Sequence, residues 1–164
     1  MEELNRFVLF TLDNHRFALY LSDVERITLA VEITPLPNAP DIVSGMINVR
    51  GKIIPVMNIR KRLGFPDRNI ELGNHFIIAR TSKQSVAILV DRVTDIVEIP
   101  EQKIVEQKNI LPGIKYVQGV VKLGDDIVLI NNLEKFLSIR EKRMLKQAIA
   151  KQSKGKKSRG KDGK

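Results

Sequence analysis

The residues that could do chemistry in this chain are few and poorly placed for it. His15 follows a predicted turn and His75 directly precedes an apolar run, so neither has the spacing of a metal site or a catalytic triad. Asp125 and Asp126 could form an acid–base pair, but adjacent acids beside a glycine are more typical of a hairpin turn. Cysteine is absent, which removes thiol nucleophiles and thiolate ligands. We therefore expect no enzyme activity, no metal and no cofactor.

The excess of positive charge is confined to the C-terminus. Of the net charge of +9, residues 1–139 contribute nothing, because 17 basic residues balance 17 acidic ones there, whereas residues 140–164 hold 11 basic and 2 acidic residues. Gly155-Lys-Lys-Ser158 lacks the first glycine and the preceding strand of a phosphate loop. Residues 153–164 are too polar to form a core, so we expect a disordered basic tail. Nucleic-acid or anionic-surface binding by this tail is the alternative function.

Hydropathy indicates a protein outside the membrane. No apolar run approaches the roughly eighteen residues needed to span a bilayer, and the first residues lack the basic-then-apolar order of a secretion signal. We expect a cytoplasmic protein.

An internal repeat organises the chain. Phe7–Ile27 aligns with Phe76–Ile96 at a spacing of 69 residues, and Val43–Leu63 aligns with Val117–Leu137 at a spacing of 74. The connector between the two blocks is therefore five residues longer in the second copy.

Each copy is predicted to form about five short strands. Runs rich in Val, Ile and Leu alternate with turn residues over residues 7–64 and 76–137. One copy alone would bury little surface, so we expect two small barrels packed together. Asn58 and Asn132 are predicted to cap short helical turns, and the capping-box spacing at Ser138 begins a helix over about 138–151.

Several linked motifs resemble one family. Thr34-Pro-Leu-Pro-Asn-Ala-Pro40 precedes Val43-x-Gly45-Met-Ile-Asn-Val-Arg-Gly51-x-Ile-Ile-Pro-Val56, and Asp91-Arg-Val93-Thr-Asp-Ile96 lies in the second half. Over roughly residues 6–140 this closely resembles the CheW family of chemotaxis coupling proteins. The resemblance implies an all-β fold of two intertwined five-stranded SH3-like β-barrels in one domain of residues 1–152.

The resemblance also implies a function and its partners. It implies an adaptor that couples the cytoplasmic tip of a chemoreceptor, a methyl-accepting chemotaxis protein, to the regulatory domain of the chemotaxis histidine kinase. The protein would be recruited to membrane-bound receptor arrays and would contact the membrane only through receptors. No small-molecule substrate and no specific nucleic acid are implied.

The residues expected to bind the receptor are Val24, Arg26, Ile27, Gly45 and Arg50. Arg26 stands where family members commonly have an acid, which indicates a differently charged receptor. Gly45 has an equally good structural explanation, a bend where two backbones approach closely. Arg50 lies on a hairpin turn whose repeat counterpart is glycine, so the fold does not demand its charge, and its fork could anchor a carboxylate.

The residues expected to bind the kinase are Leu123 and Ile127, beside the hairpin of the second copy. Core packing explains these two apolar residues equally well.

Overall fold

The computed structural model describes residues 4–110 and 115–162. The strands are β1 (Leu4–Leu12), β2 (His15–Tyr20), β3 (Val24–Leu29), β4 (Val43–Val49), β5 (Lys52–Met57), β6 (His75–Arg80), β7 (Ser85–Val90), β8 (Arg92–Pro100), β9 (Val105–Glu106), β10 (Val117–Leu123) and β11 (Asp126–Asn131). The α-helices are α1 (Ile59–Leu63), α2 (Gln107–Ile110) and α3 (Ile139–Asp162), and short 3₁₀ turns cover Leu21–Asp23, Glu101–Lys103 and Leu133–Lys135.

The strands form two sheets that exchange their first hairpins. Barrel one is the five-stranded sheet β3-β6-β7-β5-β4, and barrel two is the six-stranded sheet β8-β1-β2-β11-β10-β9. The hairpin β1–β2 of the first copy therefore completes the barrel of the second copy, and β6–β7 completes the barrel of the first. The prediction of two intertwined SH3-like barrels is confirmed.

Barrel two has one strand more than predicted. The extra strand is β9, which pairs with β10 at Gly119 and Val120. In barrel one the same place holds only an isolated bridge between Thr34 and Met46. Two residues of pairing are too short to stand out in the sequence as an apolar run.

Three apolar clusters fill the barrels and the space between them. Phe7 belongs to the cluster inside barrel two, and its repeat counterpart Phe76 to the cluster inside barrel one. Between the barrels lies the largest cluster, which includes Phe10 and Phe136. Alternate residues of β1 point to opposite faces of the sheet and both faces are buried, which explains its continuous apolar run.

The predicted helix caps are present. The side chain of Asn58 accepts a hydrogen bond from Lys61 N at 3.2 Å, and Gly64, with φ of +82°, ends α1 in the left-handed conformation. Asn132 accepts one from Glu134 N at 3.1 Å. The second turn is a 3₁₀ helix rather than an α-helix.

The C-terminal helix is longer than predicted. The capping box is confirmed, since Ser138 N donates to Glu141 Oε1 at 2.8 Å and Glu141 N donates to Ser138 Oγ at 3.1 Å. The helix α3 then runs to Asp162, whereas the sequence predicts an end near residue 151 and a disordered tail over 153–164. That prediction weighed only the lack of apolar residues. Extending a helix costs less than starting one, and the lysines and arginines of this segment are good helix formers, which offsets the cost of Gly155 and Gly160. Residues 163–164 lie outside the described residues.

Candidate functional site

The start of β3 is tied to the opposite side of barrel one by a chain of hydrogen bonds. The pairing of β3 with β6 is interrupted at Glu25, between Val24 and Arg26. Ser85 Oγ donates to Glu25 Oε1 at 2.7 Å, and Lys52 Nζ lies 3.5 Å from Ser85 Oγ. Lys52 is the first residue of β5, so this chain connects β3 through β7 to the β4–β5 hairpin.

An exposed apolar row follows on the same edge strand. We call Ile27, Leu29 and Val31 the apolar edge, since all three are exposed and alternate along β3 and its extension. Leu29 is the most exposed of them, at 66%. The strand β3 pairs with β6, and along its other side it pairs with no strand among the described residues. An exposed apolar edge strand is a typical surface for a partner.

Leu29 and Val31 were missed by the sequence-based prediction, which named Val24 and Ile27 only. The alternation of apolar residues at positions 27, 29 and 31 could have identified them. Val24, in contrast, is partly buried and packs against the cluster between the barrels. Arg26 is also partly buried.

Arg50 occupies a backbone conformation that favours other residues. It has φ of +53° and is followed by Gly51 with φ of +83°, and Gly51 N donates to Asn48 Oδ1 at 2.8 Å. Both central residues of this two-residue hairpin turn are left-handed, which favours Asn, Asp or Gly at the first position. Gly124, the repeat counterpart of Arg50, also has a positive φ, +60°. Arg50 is exposed and forms no ion pair with another described residue.

Gly45 lies beneath the proline-rich connector. It is buried and has φ of +154°. A Cβ atom there would lie 2.4 Å from the carbonyl oxygen of Thr34 and 2.6 Å from Ile33 Cγ2. Thr34 and Met46 exchange backbone hydrogen bonds of 2.7 and 2.9 Å at this place. The surface of Gly45 is therefore covered by the chain's own connector.

The expected receptor residues lie in three places. Val24, Arg26 and Ile27 share β3, at one edge of barrel one, whereas Gly45 lies at the other edge. Arg26 and Gly45 are the two ends of one row of pairings across the sheet, through Ile78, Ala87 and Val56. Arg50 lies on the β4–β5 hairpin turn, at the same end of barrel one as Lys52 and Glu25.

The two residues expected to bind the kinase point to opposite faces of their hairpin. Ile127 pairs with Lys122, and Leu123 pairs with Asp126. Leu123 is partly buried and packs against the interior cluster of barrel two, whereas Ile127 is 67% exposed. Of these two, only Ile127 offers most of its side chain to a partner.

A buried cation joins the two barrels. Arg60 of α1 is 7% exposed at its side chain and contacts Asp13 Oδ1 at 3.0 Å and Asp91 Oδ1 at 2.5 Å. Arg68 contacts the same oxygen of Asp13 at 3.0 Å, and Asp13 N donates to Asp91 Oδ2 at 2.7 Å. Burial opposes the charged form of Arg60, but the hydrogen bonds and charges of the two aspartates outweigh it and raise the pKa of Arg60.

The described part of the chain offers no metal centre and no membrane span. No group of three or more histidine and acidic side chains in residues 4–110 and 115–162 is arranged to hold a metal ion. None of the helices over these same residues combines the length and the apolar character needed to cross a membrane.

Two intertwined SH3-like barrels are the fold of a class of scaffold proteins, and comparisons with known proteins agree with this class. The sequence-family model of the CheW-like domain matches residues 6–141. The chemotaxis protein CheW of Thermotoga maritima is 31% identical over 78% of this chain and 84% of its own length, and that of Treponema pallidum is 25% identical over 85% and 86%. The crystal structure of the scaffolding protein TtCheW from Thermoanaerobacter tengcongensis superposes with a TM-score of 0.76 and 28% identity, covering 86% of this chain and 92% of that one.

The chain therefore belongs to the CheW-like family, and it is a chemotaxis adaptor or scaffold by this membership.

Proposed function

We propose that this protein is a non-catalytic cytoplasmic adaptor that couples the cytoplasmic tip of a chemoreceptor to the regulatory domain of the chemotaxis histidine kinase. Family membership supports the scaffold role. The proposal adds two separate docking surfaces, with the receptor at the apolar edge and Arg50, and the kinase at the hairpin that carries Ile127.

The apolar edge is the observation that carries the proposal. Three exposed apolar side chains along an edge strand and its extension, with no strand on the outer side among the described residues, favour aggregation unless a partner covers them. An amphipathic receptor helix could lay its apolar face on Ile27, Leu29 and Val31. Arg50, at the end of the same barrel, could then pair with a carboxylate of that helix.

Two matched substitutions test the division between the surfaces. Leu29 and Ile127 are 66% and 67% exposed, so Leu29→Asp and Ile127→Asp should both leave the fold intact. We expect Leu29→Asp to weaken binding of a receptor cytoplasmic fragment at least about tenfold and to leave kinase binding unchanged. The converse is expected for Ile127→Asp. Each variant is the control for the other, with both affinities measured by isothermal titration calorimetry.

Two results would contradict the proposal. If neither substitution changed either affinity, the two surfaces would be wrong. If the unmodified chain bound neither the receptor fragment nor the kinase regulatory domain, the coupling function itself would be wrong.

A further inference from the structure

A cleft of about 520 Å³ lies between α3, the β6–β7 turn and the 3₁₀ turn at Leu133–Lys135. Its volume is within the roughly 300–1,000 Å³ typical of ligand sites. The floor is apolar and belongs to the cluster between the barrels; it consists of Met57, Val86, Leu133, Leu137 and Ile149. The cleft shares no lining residue with the apolar edge.

In the first copy of the repeat, the chain itself occupies the equivalent place. Phe65, just after α1, packs on His15 and Phe17 with ring centroids 5.3 and 5.8 Å apart. The repeat counterparts of His15 and Phe17 are Gln84 and Val86, which line the open cleft. The first copy therefore shows which kind of group this place accepts, a single large apolar side chain.

The second copy does not supply this group. The repeat counterpart of Phe65 is Ile139, which lies in the first turn of α3 and is 79% exposed. The capping box at Ser138 and Glu141 begins α3 at this point, so the chain enters a helix instead of the cleft.

The rim of the open cleft is cationic. Lys83 lies on the β6–β7 turn, and Lys142, Arg143 and Lys146 lie on α3. None of the four forms an ion pair with a described residue. Glu134 is the only acid in the lining, and its carboxylate already accepts hydrogen bonds from the backbone N and the hydroxyl of Ser82.

The group that fills the first cleft is accompanied by an acid. Asp67 follows Phe65 by two residues, and its Oδ1 accepts a hydrogen bond from Asn58 Nδ2 at 2.9 Å. In the second cleft the charged side chains on the rim are cations, so carboxylates close to an aromatic anchor would pair with them. Phe65 is thus a template for the anchor, and the cationic rim indicates the acids beside it.

We propose that the cleft binds an acidic segment of a partner protein, which inserts one aromatic side chain against Val86 and Leu133 and pairs its carboxylates with Lys83, Lys142 and Lys146. The aromatic ring occupies the place that Phe65 has in the first copy. This third docking surface does not rest on the proposed receptor and kinase surfaces, and it can be correct when they are wrong.

A labelled peptide tests this site in the full chain. The probe is Glu-Gly-Phe-Pro-Asp-Glu, which carries the residues of the first cleft between added acids, and binding is followed by fluorescence anisotropy. We expect saturable binding that weakens at least about tenfold, or 1.4 kcal/mol, in the double variant Lys142→Glu/Lys146→Glu. Lys83→Glu, on the opposite wall, should weaken it in the same direction, which separates an effect on the cleft from fraying of α3.

The matched control changes the same charge on the same helix. Arg140 and Lys151 are exposed and do not line the cleft, so Arg140→Glu/Lys151→Glu should keep the affinity. A peptide with Ala in place of Phe should bind at least about tenfold more weakly. The proposal fails if both double variants lose affinity equally, if the Ala peptide binds as well as the Phe peptide, or if no saturable binding occurs. Equal losses would indicate general attraction of anions.

Discussion

The guanidinium of Arg60 lies against the carboxylate of Asp91, with 2.5 Å between Nη2 and Oδ1. Arg60 lies on α1, which follows β5 of barrel one, and Asp91 is the residue at which the chain leaves β7 of barrel one for β8 of barrel two. The second partner of Arg60 is Asp13, in the β1–β2 turn of barrel two. One side chain therefore fixes the relative position of both barrels.

Arg60→Met should lower the free energy of unfolding by about 3 kcal/mol, because it leaves two partly buried carboxylates without their main cation. Chemical denaturation measures this loss. Arg68→Met is the control, since Arg68 contacts the same Asp13 oxygen from a position that is 53% exposed. Its expected loss is below about 1 kcal/mol. Similar losses for both variants would show that the burial of Arg60 adds nothing.

Gly45→Ala should destabilise the protein by about 3 kcal/mol, since the new Cβ would collide with the carbonyl oxygen of Thr34 and the backbone φ is unfavourable. Gly119→Ala, its repeat counterpart, should cost about 1 kcal/mol. There the carbonyl oxygen of Val105 lies at 3.2 Å, and the closest atom belongs to the side chain of Ile104. Thermal unfolding measures both. We also expect Gly45→Ala to lose receptor binding only to the extent that the protein unfolds. A folded variant that binds no receptor would instead show direct contact.

Arg50→Gly should leave the thermal stability unchanged or raise it, because glycine adopts the left-handed conformation without the cost that arginine has there. The same variant should weaken receptor binding, since the guanidinium group of Arg50 is lost. Calorimetric unfolding and titration with the receptor fragment measure the two effects. A destabilised variant with normal receptor binding would contradict both parts of this prediction.

Glu141 should make the stability depend on pH. Burial acts to raise the pKa of Glu141, but hydrogen bonds from Ser138 and the charge of Arg62 outweigh it and lower the pKa below its ordinary value. An acid with a lowered folded pKa stabilises the protein above its unfolded pKa, and this stabilisation is lost as the pH falls through the folded pKa.

We therefore expect Glu141→Gln to lower the melting temperature at neutral pH, with a difference from the unmodified chain that shrinks below about pH 4. Glu98→Gln, at an exposed pair with Arg6, is the control and should change little at any pH. A difference for Glu141→Gln that stays constant across this range would contradict the assignment.

The internal repeat predicted the two barrels because the apolar residues have the same spacing in both copies, and this spacing predicts the strands. Phe7 and Phe76 align in the sequence and fill equivalent barrel interiors. The exchange of hairpins followed only from the family resemblance, since a pattern of alternating residues identifies strands but not their neighbours in the sheet.

The polar contacts could not be predicted by aligning the copies, because equivalent positions use different chemistry. Arg60 binds Asp13, whereas its repeat counterpart Glu134 binds Ser82, the counterpart of Asp13. The same two positions contact each other in both copies, but the cation of the first copy, Arg60, is replaced by an anion, Glu134, in the second. A search for conserved residue types between the copies finds the capping asparagines and misses this pair.

The binding role of the site residues stays a prediction, but their exposure can be compared with it. Ile27, named from the family resemblance, and Ile127, named for its apolar character, are both exposed, whereas the exposed Leu29 and Val31 were not named. Burial of Gly45 depends on the connector over it, and the opposite directions of Leu123 and Ile127 depend on the strand register. Neither can be seen in a single stretch of sequence.

The chain crosses between the barrels twice, at Leu21–Asp23 and at Asp91. A single linker would act as a hinge, about which one barrel could swing freely relative to the other. Two crossings, together with Arg60, resist such rotation, so a torque applied to one barrel by a bound partner reaches the other barrel with little loss. Partners bound to different barrels would be mechanically connected through a stiff body.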